Sequence, residues 1–248
     1  MEKKIIGIIP ARYKSSRFPG KPLTELLGKP MILWVAELSG KALGNENVFV
    51  ATEDERIMKV VEDAGFNVVM TSDTHPTGTD RLSEVARNVP ADIYINIQGD
   101  EPTINPEVIL KVADMKLNND CYVINAMAKL NADEDPDNVN IPKVITAEDN
   151  EMVYMSRLAV PGFKSHESRP ETYYKQVCIY AFNREQLLKF GGFGRKSRLE
   201  SSEDIEILRY LDLGVKVKMV EVEGNSYAVD VEGDIPVVEK RLKEIHKL

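Results

Sequence analysis

The sequence predicts an α/β protein with a mostly parallel, Rossmann-like sheet and helices on both faces. Two observations predict this class. Short branched apolar runs alternate with helix-period segments, and four such pairs precede Cys121. After Cys121 the pattern changes to more closely spaced strands. Because crossovers between consecutive parallel strands are right-handed, the early helices cover both faces of the sheet. The later part is predicted to add a smaller mixed β region.

The four early units each combine a buried-strand pattern with an amphipathic helix pattern. The predicted strands are Ile5–Ile9, Val48–Ala51, Asn67–Met70 and Asp92–Ile97. The predicted helices are Met31–Ala42, Asp54–Ala64, Asp80–Asn88 and Pro106–Leu117. Ligands of such sheets bind beyond the carboxyl ends of the strands, so the loops after Ile9, Met70 and Ile97 are the candidate binding loops.

The later elements are shorter and more varied. The predicted strands are Tyr122–Lys129, Lys143–Thr146, Met152–Ser156, Lys175–Phe182, Val215–Val220 and Tyr227–Val229. The predicted helices are Ser202–Leu213 and Gly233–His246. Ser201 and Asp204 stand in capping-box positions for the first of these helices. Gly191–Gly194 is predicted to be a mobile loop.

Composition excludes several classes of function. A formal net charge of -8 disfavours nucleic acid or an anionic membrane as the main partner. Cys121 and Cys178 lack metal-ligand spacing, which indicates reduced thiols in a cytoplasmic protein. The N-terminal apolar run is too short for a signal peptide, and no run approaches the roughly 20 residues of a membrane span.

The loop after the first strand concentrates positive charge. Its cations are Arg12, Lys14, Arg17 and Lys21. Ser15 and Ser16 add hydroxyl donors, and Gly20 permits a close backbone approach. Cations and backbone N–H groups at a strand end predict an anion site that suits a phosphate chain, although a solvated basic turn is the alternative. The loop is neither a P-loop nor a dinucleotide-binding fingerprint.

Adjacent carboxylates follow the strand that ends at Ile97. Asp100 and Glu101 lie at the ligand edge of the predicted sheet, and Mg²⁺ is commonly held by one or two carboxylates together with substrate phosphates. An exposed acidic turn is the alternative. Asp230, at the end of a short apolar segment, either completes this metal site or caps the following helix.

The loop after Met70 is rich in hydroxyl groups and ends in Arg81, a composition that suits contact with a base or ribose. His75 has no second His or Cys at ligand spacing, so we interpret it as an ordinary loop residue. No Ser/His/Asp or Cys/His set with catalytic spacing is present, which argues against covalent catalysis.

Several motifs together resemble the CMP-Kdo synthetases, the 3-deoxy-manno-octulosonate cytidylyltransferases. They are IIPARYKSSRFPGKPL, GKPMI, VATEDERI, MTSDTHPTGTDRLSEV, NIQGDEP, KVITAEDNEMVYMSRLAVP and AVDVEGD, and they span nearly the whole chain. The first motif and NIQGDEP separate this family from the hexose-1-phosphate nucleotidyltransferases, whose first loop is glycine-rich.

The resemblance implies a GT-A-like nucleotidyltransferase fold, a homodimer, and transfer of CMP from CTP to a sugar acid. The nucleotide contacts that it implies are Pro10, Ala11, Arg12, Ser15, Arg17, Lys21, Thr71, Ser72, Gly78, Arg81, Gln98 and Gly99. Asp100 and Asp230 would bind Mg²⁺, and these two residues with Arg12 and Lys21 would form the catalytic set. On this reading the chain is one domain, with residues 1–120 and 215–248 binding the nucleotide. Residues 121–214 would bind the acceptor and form the dimer.

The acceptor side departs from the family pattern. The implied acceptor contacts are Arg157, Gln176, Tyr180 and Glu206. Gln176 stands where the family commonly has His, and Ile207 stands where it has Gln. We expect the acceptor to be 3-deoxy-manno-octulosonate (Kdo). The alternatives are 8-amino-Kdo, a nonulosonic acid or a phosphonate, or a homologue that binds nucleotide without catalysis.

Overall fold

A mixed nine-stranded sheet lies at the centre of the part of the chain that the computed structural model describes, residues 3–14 and 18–247. Two further short strands form a separate hairpin. The strands are β1 (Ile5–Ala11), β2 (Glu25–Leu26), β3 (Lys29–Pro30), β4 (Val48–Thr52), β5 (Asn67–Met70), β6 (Ile93–Ile97), β7 (Val123–Lys129), β8 (Lys143–Thr146), β9 (Met152–Ser156), β10 (Tyr174–Phe182) and β11 (Val217–Glu221).

Helices pack on both faces of this sheet. They are α1 (Met31–Leu43), α2 (Glu55–Asp63), α3 (Gly78–Asn88), α4 (Pro106–Asn118), α5 (Arg184–Gly192), α6 (Arg198–Glu203), α7 (Arg209–Asp212) and α8 (Ile235–His246). Single 3₁₀ turns include Lys21–Leu23, Glu206–Leu208 and Glu232–Asp234. No helix within residues 3–14 and 18–247 is long and apolar enough to cross a bilayer.

The strand order is β11-β7-β10-β6-β1-β4-β5, with β8 paired to β10 and β9. The predicted parallel pairing is confirmed for β1 with β4 and β6, and for β4 with β5. In contrast, β10 runs antiparallel to both β6 and β7. Tyr180 pairs with Asn96, so the N-terminal half of β10 extends beyond the carboxyl end of β6, into the region where ligands bind.

Alternation along the strands produces two apolar cores. Ile95 and Ile97 face one side, where they join the cluster that includes α1 and α4 residues. Tyr94, Tyr180 and Phe182 face the other side and pack with α3 and α5. Strands that are buried on both faces read as continuous apolar runs, which is why β1 and β6 could be predicted from sequence.

A third apolar cluster attaches α8 to the β2–β3 hairpin and to α1. Trp34 lies in it, 5% exposed, and its indole N–H donates to the Leu26 carbonyl at 2.9 Å. Trp34 is therefore a core residue. Val229, fully buried in this cluster, precedes Asp230, so α8 packing fixes the position of the loop that carries this aspartate.

Three sequence-based assignments in the C-terminal half are wrong. The helix predicted over Ser202–Leu213 is broken at Asp204, whose φ of 51° is left-handed, and its actual first turn is capped by Ser197 with Glu200. Gly191–Gly194 is not a separate loop, because α5 continues to Gly192.

The third error is the strand predicted over Tyr227–Val229, a segment that has no strand conformation. Its backbone is held by the neighbouring loop instead. The Val229 N–H donates to the Asp100 carbonyl at 2.9 Å, and the Tyr227 N–H donates to Thr103 Oγ1 at 2.7 Å. Three apolar residues are too short a pattern to distinguish a strand from an anchored loop.

Candidate active site

A cleft of about 370 Å³ opens at the carboxyl ends of β1 and β6. The predicted nucleotide residues that line it are Pro10, Ala11, Arg12, Lys21, Gly78, Gln98 and Gly99, and Asp100 joins them. Lys14, Pro22 and Met31 complete the lining. Loops from three separate βα connections therefore meet where an open α/β sheet binds ligands. Ser15 and Arg17 were predicted to contact phosphate and lie outside the described residues.

Two glycines allow the loops to approach one another. A Cβ at Gly99 would lie 3.0 Å from the Pro10 carbonyl oxygen, so a side chain there would force the β1 and β6 loops apart. Gly20 has φ of 74°, and its N–H donates to the Tyr13 carbonyl at 2.9 Å. This left-handed turn reverses the chain and directs the next residue, Lys21, back into the cleft.

Lys21 connects the two aspartates that were predicted to bind metal. Its ammonium lies 2.6 Å from Asp100 Oδ2 and 3.9 Å from Asp230 Oδ1, and donates to the Val229 carbonyl at 2.9 Å. The Lys21 side chain is only 17% exposed, whereas that of Asp230 is 59% exposed. Residues far apart in the sequence thus form one charged centre at the edge of the cleft.

The alternative role of Asp230 as a helix cap is not what the structure shows. Asp234 Oδ2 accepts from the N–H groups of Asp230 and Val231 at 2.8 and 3.0 Å. The carboxylate of Asp234 therefore satisfies this turn, and the Asp230 side chain is free to face Lys21.

The donor set of Asp100 and Asp230 fits a magnesium ion. Both supply hard carboxylate oxygens, and both lie against the same cation position, which Lys21 fills. Among the described residues no group of three or more His, Cys, Asp or Glu side chains is arranged to hold a metal. A metal at this point would thus have two protein carboxylates and would need substrate oxygens to complete its coordination.

The loop before α3 forms the opposite wall of the cleft. Thr77 caps α3, its Oγ1 accepting from the Asp80 N–H at 3.2 Å, and Gly78 is the first helical residue. A Cβ at Gly78 would lie 3.4 Å from Pro10 Cγ. The positive end of α3 therefore faces the cleft beside β1, which favours bound anionic groups.

Arg81 and Thr71 support this wall from within. Arg81 is 1% exposed, forms an ion pair with Glu53 at 2.8 Å, and donates to Thr71 Oγ1. Burial lowers the pKa of Arg81, and the adjacent Glu53 opposes that shift. Neither Arg81 nor Thr71 lines the cleft. Ser72 is exposed nearby, and its N–H donates to Glu84 Oε2 at 3.0 Å.

Glu206 and Tyr180 lie on the same side as α3. Glu206 Oε2 accepts from the Thr79 N–H at 3.1 Å and would lie 3.9 Å from a Cβ at Gly78, so this carboxylate reaches the rim of the cleft. Burial raises the pKa of Glu206, and the hydrogen bonds from Thr79 and Thr77 oppose the rise. Burial also raises the pKa of Tyr180 well above its ordinary value, and Glu206 is close enough to add to this rise.

Arg157 is held by backbone carbonyls. Its guanidinium donates to the carbonyls of Glu203, Val139 and Asp204. The Glu203 carboxylate in turn accepts from the Arg157 N–H at 2.8 Å and from Ser156 Oγ at 2.9 Å. Arg157 therefore joins the end of β9 to the turn after α6, and a direct contact with an acceptor would use its remaining N–H groups.

Two features of the site could not be inferred from motif spacing. Glu101 is half-buried beside Asp100 and accepts from Ser226 Oγ at 2.8 Å. Desolvation raises the pKa of Glu101 to about 7. Arg209 pairs with Asp80 and Glu200, and these contacts are described below. Both depend on loops that are distant in sequence, so only the folded chain reveals them.

Comparison with known proteins places this site in context. A profile of the cytidylyltransferase family matches residues 6–217. A 3-deoxy-manno-octulosonate cytidylyltransferase of Geobacter metallireducens is 39% identical over 249 residues, covering 96% of this chain and 98% of that protein. The enzyme of the same name from Parabacteroides distasonis is 40% identical over 242 residues, covering 94% and 95%.

Two solved structures are similar to this chain, one in sequence and fold and the other in fold alone. A CMP:2-keto-3-deoxy-manno-octonic acid synthetase complexed with CTP superposes with a TM-score of 0.89 at 34% identity, covering 99% of this chain and all of that one. The 4-diphosphocytidyl-2C-methyl-D-erythritol synthase of Anaerococcus prevotii has a TM-score of 0.65 at 17% identity, covering 97% and 99%. The second likeness concerns the fold alone.

Proposed function

The chain belongs to the cytidylyltransferase family, and from that membership we propose that it transfers CMP from CTP to the anomeric hydroxyl of 3-deoxy-manno-octulosonate, releasing pyrophosphate. One observation of the site carries the proposal. Lys21, Asp100 and Asp230 converge at a cleft that the β1 loop and the N-terminus of α3 enclose. That combination of cations, backbone N–H groups and paired carboxylates suits a nucleoside triphosphate with a divalent ion.

In the nucleotide half of the site, some residues would contact CTP and others support those residues. Arg12 and Lys21 would neutralise the triphosphate from the β1 side, with Ser15 and Arg17 of the same loop. Gly78 and the first turn of α3 would face it from the other side, and Gln98 would contact the cytosine. Arg81 and Thr71 act indirectly, by fixing the wall formed by the α3 loop.

Asp100 and Asp230 would hold magnesium. When bound, the ion would offset charge on the α-phosphate and lower the pKa of a coordinated hydroxyl. The chain's own residues position the reactants around that point. The Lys21 ammonium, which lies between Asp100 and Asp230, can move from these carboxylates to pair with the phosphates when the nucleotide binds.

The reaction is an in-line displacement at the α-phosphorus. The anomeric hydroxyl loses its proton to solvent, its oxygen forms a bond to phosphorus, and the bond to the departing pyrophosphate breaks. The cationic β1 loop stabilises charge that accumulates on the pyrophosphate, and positioning supplies most of the remaining rate enhancement.

The acceptor would lie beside Glu206, Tyr180 and Gln176, beyond the carboxyl end of β6. Arg157 would order the outer part of this pocket. We further propose that the protein is a cytoplasmic homodimer: its two cysteines are free thiols, which suit a reducing compartment, and apolar side chains are exposed around β9.

A pyrophosphate-release assay with Mg²⁺ tests the proposal. CTP with Kdo should give turnover and a product with the mass of the CMP sugar, whereas ATP, GTP and UTP should give little. Turnover with Kdo should also exceed turnover with 8-amino-Kdo, a nonulosonic acid or a phosphonate. Turnover with another acid alone would contradict the proposed acceptor. CTP binding by calorimetry without turnover of any acid would instead indicate a non-catalytic homologue.

A further inference from the structure

The acceptor side contains a hydrogen-bonded pair of amides that the proposed mechanism does not explain. β10 carries a bulge, seen as a shift in its pairing with β7 between Val177 and Tyr180. At this bulge the side-chain amide of Asn125, on β7, donates to the Val177 carbonyl at 2.8 Å and to the Ile179 carbonyl at 2.9 Å. Asn125 is fully buried. Two carbonyl partners require the NH₂ end of this amide, so its orientation is fixed.

The orientation of Asn125 determines that of Gln176. With its NH₂ committed to the bulge, Asn125 presents Oδ1 to Gln176, whose Nε2 donates to it at 3.1 Å. The same Nε2 lies 3.3 Å from the Tyr180 hydroxyl. Both N–H groups of Gln176 are therefore used. Its Oε1 has no donor partner among the residues that the structure describes, and the side chain is half-buried.

This oxygen lies at the ligand edge of the sheet. Gln176 is four residues before Tyr180 on the half of β10 that extends past the carboxyl end of β6. Its neighbour on that face, Tyr180, is close to Glu206, and Glu206 is hydrogen-bonded to the first turn of α3 at the cleft. A polar strip therefore leads from the nucleotide cleft to Gln176.

We propose that Asn125 is a positioning residue that locks Gln176 with its carbonyl towards the acceptor. The pocket then offers hydrogen-bond acceptors at this point, from Gln176 Oε1 and the Glu206 carboxylate. The pocket therefore selects a sugar acid that presents a hydrogen-bond donor to these oxygens, either a hydroxyl or a protonated amine. The carboxylate of the sugar acid is excluded from this part of the pocket. The inference rests on the proposed function and specifies which kind of group on the sugar acid the pocket recognises.

The test measures kcat/KM for Kdo and for each of its monodeoxy analogues, with Gln176→Met compared to the unchanged protein. For the unchanged protein, kcat/KM with one analogue should be at least about tenfold lower than with Kdo, roughly the effect of losing a hydrogen bond in a desolvated site. In Gln176→Met that ratio should fall to near one. Asn125→Ala should reduce the ratio while the KM for CTP stays unchanged, an effect that general destabilisation would not produce.

Gln98→Met is the matched control, since it makes the same change on the nucleotide side. It should alter the KM for CTP and keep the acceptor ratio. If Asn125→Ala fails to fold, Gln176→Met alone decides. If Gln176→Met keeps the full discrimination with every analogue, the inference is wrong. Should the protein turn over no acid at all, the same ratio measured by calorimetric binding of the acids to the CTP-bound protein still tests the inference, separately from the proposed function.

Discussion

Asp100 is the residue whose surroundings contribute most to the proposed chemistry. Its side chain is 29% exposed at the cleft, pairs with Lys21, and its backbone carbonyl anchors Val229 and hence the loop of Asp230. The side chain can therefore be changed while the backbone contact that joins the two loops remains. This separation makes an amide substitution informative about chemistry instead of folding.

We predict that Asp100→Asn lowers turnover by at least about 10²-fold, the effect of removing a key electrostatic group from an active site. Pyrophosphate release at saturating CTP and acceptor measures it. The melting temperature should change little. Glu107→Gln, the same chemical change at an exposed position in α4, is the control and should retain full activity. Near-normal turnover of Asp100→Asn would count against the metal assignment.

Lys21 should compete with a metal ion in the nucleotide-free protein. Its ammonium occupies the position between Asp100 and Asp230, and unit charges about 4 Å apart interact by ~4 kcal/mol near a protein surface. We predict that Lys21→Met raises Mn²⁺ affinity without CTP by at least about tenfold, measured by the EPR signal of free Mn²⁺. The same variant should bind CTP more weakly.

Lys14→Met provides the matched control for this prediction. Lys14 lines the same cleft and is exposed, so its replacement removes one unit of charge from the same field without freeing the aspartates. Equal gains in Mn²⁺ affinity for the two variants would show that only the total charge of the cleft matters. That result would contradict direct competition between Lys21 and the metal ion.

Single residues of the site differ in how far sequence could place them. Lys21 and Asp100 were predictable, because each lies in the loop that follows an apolar strand, and parallel strands bring such loops to one edge of the sheet. The inward pairing of Arg81 with Glu53 could not be foreseen, since nothing in a hydroxyl-rich loop distinguishes a ligand contact from a support. Asn125 was missed because it stands inside an otherwise apolar strand.

At the scale of elements, a buried ion network joins α3, α6 and α7. Arg209 bonds Glu200 through Nε at 2.7 Å and Asp80 through Nη1 at 2.7 Å, and its guanidinium lies 3.7 Å above the Phe190 ring. All three ionic side chains are almost fully buried. The network holds the turn that carries Glu206 against the first turn of α3.

Removal of Arg209 should therefore destabilise the protein more than an average substitution does. Arg209→Met leaves Asp80 and Glu200 buried without a counter-charge, which costs about 3–5 kcal/mol. The midpoint of urea unfolding measures this loss. Arg198→Met, an exposed arginine in α6, should shift the midpoint very little. Similar midpoints for both variants would contradict the structural role of the network.

The same network explains why one element was mispredicted. The segment from Ser202 to Leu213 has a helical apolar period, but Arg209 must reach both Asp80 and Glu200, and the chain bends at Asp204 to allow it. Tertiary contacts of this kind override local propensity. The early parallel units were predictable because their pattern, length and turn residues all agree.

At the scale of the whole molecule, β9 is mostly buried, but apolar side chains on it and next to it are exposed. It pairs with β8, and Glu151, the residue just before β9, forms an isolated antiparallel bridge with Lys218 of β11. Val153 on β9 is 57% exposed and Leu158 just after it is 69% exposed. Val139 lies alongside, because its carbonyl accepts from Arg157. Exposed apolar side chains grouped on one surface favour association with another chain.

We therefore predict that β9 forms the interface of the proposed homodimer. Leu158→Glu combined with Val153→Glu would bury charge in that interface, and sedimentation velocity at micromolar concentration should show a shift from dimer to monomer. Val237→Glu, at an equally exposed valine on α8, should leave the dimer intact. A monomeric unchanged protein would refute the dimer, and a dimer that survives the double substitution would refute this interface. Since Arg157 joins this surface to the turn before Glu206, the monomeric variant should also show a raised KM for the acceptor with little change for CTP.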